Sequence, residues 1–384
     1  MLRVLAVVAG LALGLGGCAQ LGGRCGAVKV GQVFVGGSGT RISWEELGRR
    51  LRQADVVIVA ESHSNPCHHW VQQRVLRLVA RGRAPKKVVV GLEWVGADSQ
   101  RWCDELSAGR IGVAEFARKV RWGRTWGYDF KLYRGLVKLM RGKGWKVVGL
   151  SPPWKVVKAV ARGGLRALTP AQRACLAPAM ELSDKAYQRL VGPRLAMHRA
   201  MGLGKALKRM FLAQMVRDET MAWHLAEAMG PWPDGGKVAV VFVGSGHLPH
   251  GQGLPRRILR RLPGAKILTV VPVDLQEACA AAVGGAGQFV VACRPSPPRL
   301  GAWTTPVEGG LKVLGVIPHS PAARAGIRKG DVILAVDGRK ISSAKDIHRA
   351  IRTRPFAPHH YKVRRNGRVI ELEISLGRQS QAEH

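Results

Sequence analysis

The sequence predicts an α/β domain, a mostly parallel sheet flanked by helices, followed by a small α+β domain. Three observations predict it. Apolar, largely β-branched runs recur at residues 56–60, 88–92, 146–150 and 237–243, each the length of a buried strand and each ending abruptly in a polar loop. Stretches with apolar residues at helical spacing separate these runs, so right-handed βαβ crossovers are expected. After Pro295-Ser296-Pro297-Pro298, which reads as a linker over 295–300, the chain changes to short strands and Gly turns.

Residues 1–17 carry one positive charge and then an apolar, Gly-containing stretch too short to cross a bilayer, as in a signal peptide. It runs into Leu15-Gly16-Gly17-Cys18, which resembles the lipobox of bacterial lipoproteins. That resemblance implies cleavage before Cys18, lipidation of Cys18 and a stable membrane anchor. Ala19, where an inner-membrane signal has Asp, implies the outer membrane, with the protein facing the periplasm. An ordinary signal peptide with a chance Cys is the alternative.

The first domain is expected over residues 27–294. Ser43-Trp44-Glu45-Glu46 fits a capping box opening a helix to about residue 53. Val71, Val75, Leu78 and Val79 mark a helix over 70–80, and the pattern from 98 to 143 is helical with breaks at Gly109 and around 122–127. Residues 154–229 read as a long helical region. A fifth strand is expected at 265–271 and an edge strand at 288–293.

The chain has 61 Lys and Arg against 25 Asp and Glu, a formal charge of +36. Nucleic acid, an anionic membrane surface and a biased composition all accommodate such a charge. The cations are spread along the chain without a base-reading motif, so nucleic acid is not the expected partner. Beyond Cys18 stand Cys25, Cys67, Cys103, Cys175, Cys279 and Cys293. The expected disulfide is Cys279–Cys293, across one Gly-rich turn, and the absence of any CxxC spacing argues against a structural zinc site.

Within residues 301–378, Gly310-Leu311-Lys312-Val313, Ser320-Pro321-Ala322-Ala323-Arg324-Ala325-Gly326, Lys329-Gly330-Asp331-Val332-Ile333 and Val336-Asp337-Gly338 resemble a bacterial PDZ domain. The resemblance implies capture of a partner's C-terminal peptide as an added strand. Gly309, Gly310 and Leu311 would offer amides to the carboxylate, and Ile347 and Ile351 would line the side-chain pocket. Pro358-His359-His360 stands where the family has a Pro-Gly turn.

In open α/β sheets ligands sit beyond the carboxyl ends of the strands. There Glu61 and His63 follow the first run, Glu93 the second and His247 the fourth. Two imidazoles and two carboxylates suit Zn, Mn or Fe, and a metal-bound water with one Glu as general base would make a hydrolase of Glu61, His63, Glu93 and His247. Arg217 and Asp218 are expected as a buried ion pair orienting the site.

The stretch from Ala60 through His69, then Leu92-Glu93, Asp129-Phe130-Lys131-Leu132-Tyr133-Arg134, Arg217-Asp218-Glu219-Thr220-Met221-Ala222 and Gly244-Ser245-Gly246-His247, resembles the ChaN-type lipoproteins of the haem-binding-uptake and Tiki superfamily. The resemblance implies an α/β fold, a lipid anchor and haem binding for iron acquisition, whereas metal-dependent hydrolysis belongs to the Tiki and erythromycin-esterase relatives. Departures are Ala60 before the Glu, Cys67 in place of an Asp, and Ser151-Pro152-Pro153 after the third strand. Haem needs an apolar slot, an axial ligand and cations for its propionates. Tyr128 and Tyr133 are candidate ligands, in a segment that also holds Trp122, Trp126 and Arg124, with His68 or His69 as alternatives. Three readings follow: a haem-binding lipoprotein with a PDZ module, a metal-dependent hydrolase, or an envelope scaffold acting through the PDZ alone. A homodimer is compatible with each.

Overall fold

The computed structural model describes residues 25–183, 204–233, 235–248, 251–295, 300–318, 320–351, 354 and 357–376. The signal peptide, the Cys18 lipobox and most of the linker lie outside the described residues. The chain divides at Pro295 into two compact units.

The first unit runs β1 (Val33–Val35), β2 (Arg41–Ile42), α1 (Trp44–Leu51), β3 (Val56–Glu61), α2 (Pro66–Ala80), β4 (Val88–Gly96), α3 (Gln100–Ser107), α4 (Val113–Lys119), α5 (Phe130–Met140), β5 (Lys146–Ser151), α6 (Trp154–Gly163), α7 (Gly204–Met229), β6 (Val238–Gly244), α8 (Leu254–Arg261), β7 (Ile267–Asp274), α9 (Ala278–Val283) and β8 (Phe289–Cys293). The sheet order is β2-β1-β8-β7-β3-β6-β4-β5. Strands β8 through β5 are parallel neighbours, and β1 and β2 close one edge antiparallel. The expected edge strand at 288–293 is therefore internal, because β1 covers it. Its sequence agrees: all five residues of β8 are buried.

Local chemistry accounts for the helix starts. Ser43 accepts the Glu46 amide at 3.0 Å, but the Glu46 carboxylate pairs with Arg49 and Arg50, so only half of the capping box forms. Asn65 caps α2 by accepting the Cys67 amide at 2.9 Å, with Pro66 in the first turn.

Strand alternation divides the core. Val57 and Val59 join Val88, Val90 and Leu92 against α2, α3 and α5, whereas Val56, Ile58, Ala60 and Val89 pack against α7 and α8. The same alternation overturns the expected Cys279–Cys293 bond. Along β8, Val290 and Ala292 face the cluster that holds Cys25, Ala278 and Cys279, while Cys293 points to the opposite face. The disulfides are Cys25–Cys279 and Cys67–Cys293. Cys103 and Cys175 are not bridged.

The second unit contains β9 (Ala302–Val307), β10 (Gly310–Val316), β11 (Val332–Val336), β12 (Arg339–Lys340), α10 (Ala344–Ile351), β13 (Pro358–Arg365) and β14 (Arg368–Ser375). Its antiparallel sheet is ordered β14-β13-β11-β10-β9, with β12 beside β11. Leu311, Val313, Ile333, Ile347, Ile351, Tyr361 and Val363 are among its buried residues, a core of its own. Pro358-His359-His360 opens β13 rather than forming a turn. His359 is buried, with Nδ1 2.6 Å from Asp337 Oδ2 and Nε2 2.9 Å from the Arg354 carbonyl.

Candidate functional site

The carboxyl ends of β3, β6 and β4 lie side by side, with Glu61 paired to Gly244 and Leu92 to Phe242. Strand β6 is inserted between β3 and β4, which precede it in the chain, and this topology gathers Glu61, Glu93 and the turn Ser245–His247.

Glu61 ends β3 on the face covered by α2 and α5. Its Oε1 accepts the Tyr133 hydroxyl at 2.7 Å and lies 2.6 Å from His63 Nδ1, while Oε2 accepts Gln72 Nε2 at 2.6 Å and lies 3.4 Å from His69 Nδ1. Burial works to raise this carboxyl. Hydrogen bonding from His63 and attraction to His69 outweigh that effect and hold it below the usual carboxylate range. His69 Nε2 sits 3.1 Å from the His63 carbonyl and fixes the loop between them. His68 Nδ1 accepts the Ser62 amide at 2.8 Å, so its ring is neutral there, and burial followed by the field of His69 pulls its pKa down to about 4.

Glu93 faces the other way, toward α7. Arg217 Nη2 donates to its Oε1, and His247 Nε2 lies 3.0 Å from the same oxygen. The other nitrogen of His247 bonds Asp218 Oδ1. Burial pulls the His247 pKa down, but Glu93 and then Asp218 prevail and push it up to about 9. The same contacts, with Arg217, hold Glu93 well below the usual carboxylate range against its burial. Arg217, expected as the ion-pair partner of Asp218, thus meets Glu93, and Asp218 meets His247.

The expected four-residue metal set does not assemble. Glu61 and Glu93 occupy opposite faces of the sheet, and their oxygens are taken up by Tyr133, Gln72 and His63 in one network and by Arg217, His247 and the Gly244 amide in the other. Among the described residues no group of three or more His, Cys, Asp or Glu is disposed to hold a metal ion. The two networks meet at Gly244, where a Cβ would stand 2.7 Å from His63 Cε1 and 3.5 Å from Glu93 Oε2. Only a glycine lets the imidazole lie this close to the strand.

Of the candidate haem ligands, Tyr133 is fully buried and receives Trp126 Nε1 at 2.9 Å, so it is a core residue rather than a ligand. Burial and the adjacent Glu61 push its phenol well above the ordinary range. His68 and His69 are buried in the first turn of α2, which removes them too from reach of a large planar ligand. Tyr128 differs, being 39% exposed, with its ring 4.7 Å from His63 and 5.5 Å from Trp126. Trp126 also lines a small cleft of about 30 Å³, with Trp94, Pro152, Trp154, Arg217 and Glu93 among the other lining residues. Two buried donors in this lining, Trp94 Nε1 and Arg217 Nε, have no acceptor among the described residues. Orphaned buried donors call for an oxygen from outside the chain. Gln72, Trp94 and Trp154 escape a reading for catalytic residue types; the one available signal was His69 and Gln72 three apart on one helix face.

In the second unit Gly310 and Leu311, expected to offer amides with Gly309, lie in a paired strand, and Gly309 stands in the turn before it. Leu311 pairs with Pro306 of β9 on one side and Ile333 of β11 on the other, so β10 is internal. The open edge belongs to β9, whose Pro306 is a residue tolerated at an edge. Ile347 and Ile351 of α10 are both buried in the core of the unit, where the helix packs on β11.

Comparison with known proteins agrees with this architecture. The magnetosome formation protease MamE of Paramagnetospirillum magneticum is 37% identical over 86 residues, 22% of this chain and 12% of that protein. The mitochondrial serine protease HTRA2 of Bos taurus is 38% identical over 69 residues, 18% and 15% of the two chains. The chain thus spans only about an eighth of the length of such relatives. The solved structure described as cofacial heme binding to ChaN of Campylobacter jejuni shares the fold at a TM-score of 0.53 and 16% identity, covering 70% of this chain and 98% of that one. The PDZ-domain model matches residues 312–365. Residues 47–258, more than half of the chain, match the model described as haem-binding uptake, Tiki superfamily, ChaN, and the protein belongs to that family.

Proposed function

We propose that the first unit binds haem at the aromatic cleft for iron acquisition. The observation that carries this reading is the contact of an exposed tyrosine, Tyr128, with Trp126, which lines a cleft whose buried donors, Trp94 Nε1 and Arg217 Nε, have no acceptor among the described residues. Tyr128 would hold the iron, and Trp126, Pro152 and Trp154 would form the apolar walls. Arg217 and the exposed Arg124 would meet the propionates. Bound haem would supply a ferric iron suited to a phenolate oxygen. His63, tilted against Tyr128 and anchored by Glu61, would position that ring. The ChaN family supports this reading, and the partly similar structure from Campylobacter jejuni is described as binding heme cofacially.

Hemin titration tests the proposal. Saturable Soret binding lost in Tyr128→Phe and weakened in Trp154→Ala is the expected result. Unchanged binding by Tyr128→Phe overturns the assignment of the ligand, and absence of Soret binding overturns the function.

The PDZ domain would recruit the C-terminus of an envelope protein along β9, with the backbone at 301–303 near the carboxylate. An anchor at Cys18 on the periplasmic face of the outer membrane fits both roles, its support being the lipobox-like Leu15-Gly16-Gly17-Cys18. Palmitate labelling that survives Cys18→Ser would overturn it. A metal-dependent hydrolase is not favoured, since the carboxylates of Glu61 and Glu93 are held in separate hydrogen-bond networks and, among the described residues, no three or more His, Cys, Asp or Glu converge.

A further inference from the structure

Away from the cleft, α1 and α2 build a surface that the haem reading does not use. The Trp44 and Trp70 rings meet edge to face at 5.5 Å, and the Arg74 guanidinium lies 4.5 Å from the centre of one and 5.4 Å from the other. Trp44 Nε1 donates to the Gly31 carbonyl at 2.8 Å, which holds the segment bearing Val30 against the pair. Trp70 is 39% and Val30 44% exposed, unusual for residues of their type. Along α2, Trp70, Arg74 and Arg77 follow helical spacing on one exposed face, and exposed Arg81 stands just past its end. Arg83 donates to the Arg52 carbonyl at 2.6 Å, which brings the basic end of α1 alongside.

Carboxylates are scarce on this face. Glu46 pairs with both Arg49 and Arg50, which leaves one net positive charge there. Among the described residues, no carboxylate forms an ion pair with Arg52, Arg74, Arg77, Arg81 or Arg83. A row of unpaired guanidiniums beside an exposed Trp and Val has the composition of a membrane-surface contact. Arginine binds phosphate through paired donors, Trp settles at the headgroup level, and an aliphatic side chain reaches the acyl boundary. A nucleic acid would share the charge complementarity, but it would want open aromatic faces for its bases, and here Arg74 already stacks on both indoles.

We propose that this face docks on an anionic phospholipid bilayer and so orients the first unit toward the membrane. The docking itself needs no lipid anchor. It is also compatible with the anchor proposed above, since Cys18 precedes by 13 residues Gly31, whose carbonyl is held by Trp44 of this face. That last point alone rests on the lipoprotein reading.

The test uses the chain from Ala19 onward, which has neither anchor nor signal segment, and sedimentation with vesicles. Binding to vesicles containing phosphatidylglycerol, but not to phosphatidylcholine alone, is expected, and it should vanish near 1 M salt, where the screening length is about 3 Å. Replacing Arg74, Arg77 and Arg81 by Gln should weaken it by about fivefold per residue, roughly 100-fold in all. A control with the same charge change elsewhere, Arg118→Gln, Lys119→Gln and Lys143→Gln, should retain most of the binding. Equal loss in the two triple variants would mean general charge and overturn the assigned face, as would binding unaffected by the α2 changes. Tighter, equally α2-dependent binding to a DNA duplex would overturn the lipid assignment. Hemin titration of the α2 variant is expected to be unchanged, so failure here and failure of the haem reading are told apart.

Discussion

Tyr133 donates its hydroxyl to Glu61 across 2.7 Å in space and 72 positions in sequence. That single bond ties α5 to the end of the central strand and seals the carboxylate inside the protein. It also separates the roles of the two tyrosines that the sequence places together: Tyr133 holds the floor of the site, while Tyr128 faces solvent.

Tyr133→Phe should therefore cost stability rather than ligand affinity. It leaves a Glu61 oxygen and the Trp126 N–H each short of a partner, worth about 1–3 kcal/mol. Urea unfolding should show the loss while hemin stoichiometry stays at its wild-type value. Loss of hemin binding in a folded Tyr133→Phe protein would contradict this division.

Two buried histidines bend stability in opposite directions with pH. His68 has its pKa lowered to about 4, so unfolding gains a proton below about 6.5, and stability is lost as pH falls from there toward 4. His247 is raised to about 9, so its contribution is present below about 6.5 and is lost as pH rises toward 9. Each limb has a slope of at most about 1.4 kcal/mol per pH unit. Imidazole NMR resonances check the assignment: His247 should stay in its imidazolium position past neutrality and His68 in its neutral position well into acid. Ordinary titration of both near 6.5 would refute the burial argument.

Gly244→Ala should disturb the junction of the two networks. Its Cβ would meet His63 within 2.7 Å, so the imidazole must leave its place over the strand. The expected cost is about 1–3 kcal/mol for overpacking, with weaker hemin binding because Tyr128 loses its neighbour. Wild-type stability in this variant would show that His63 moves freely.

Mapping of peptides under non-reducing conditions should recover Cys25–Cys279 and Cys67–Cys293 and no Cys279–Cys293 species. Replacing Cys67 and Cys293 together by Ala should cost about 2–5 kcal/mol, since that bond closes a loop of 226 residues and fastens the loop carrying His63 to the end of β8.

A C-terminal peptide added to the protein should shift the backbone amides of β9 and leave those of β10 largely unmoved, because both edges of β10 are already paired. Shifts centred on Gly310 and Leu311 would restore the carboxylate loop that the sequence suggested.

The sequence by itself determined the α/β class, the strands at 56–60, 88–92, 146–150 and 237–243, the start of α1 at Ser43, and the change of architecture after Pro295; the structure carries each strand slightly further, and β4 runs through Glu93 to Gly96 rather than ending before it. These follow from local patterns: apolar runs, capping residues and turn residues act within a few positions. It also brought Glu61, His63, Glu93 and His247 to one sheet edge, because parallel strands share their carboxyl ends. What only the tertiary structure decided was which face each side chain took and what it met there. A shift of one residue along a strand reverses the face, and this put Glu61 with Tyr133, Glu93 with Arg217, and Cys293 with Cys67 instead of Cys279. Strand order decided the rest: β1 made β8 internal, and β9 made β10 internal. Pairing between distant segments is not encoded in the spacing of either one, so the metal set, the two buried histidines, the disulfide and the peptide-binding edge all had to await the packed chain.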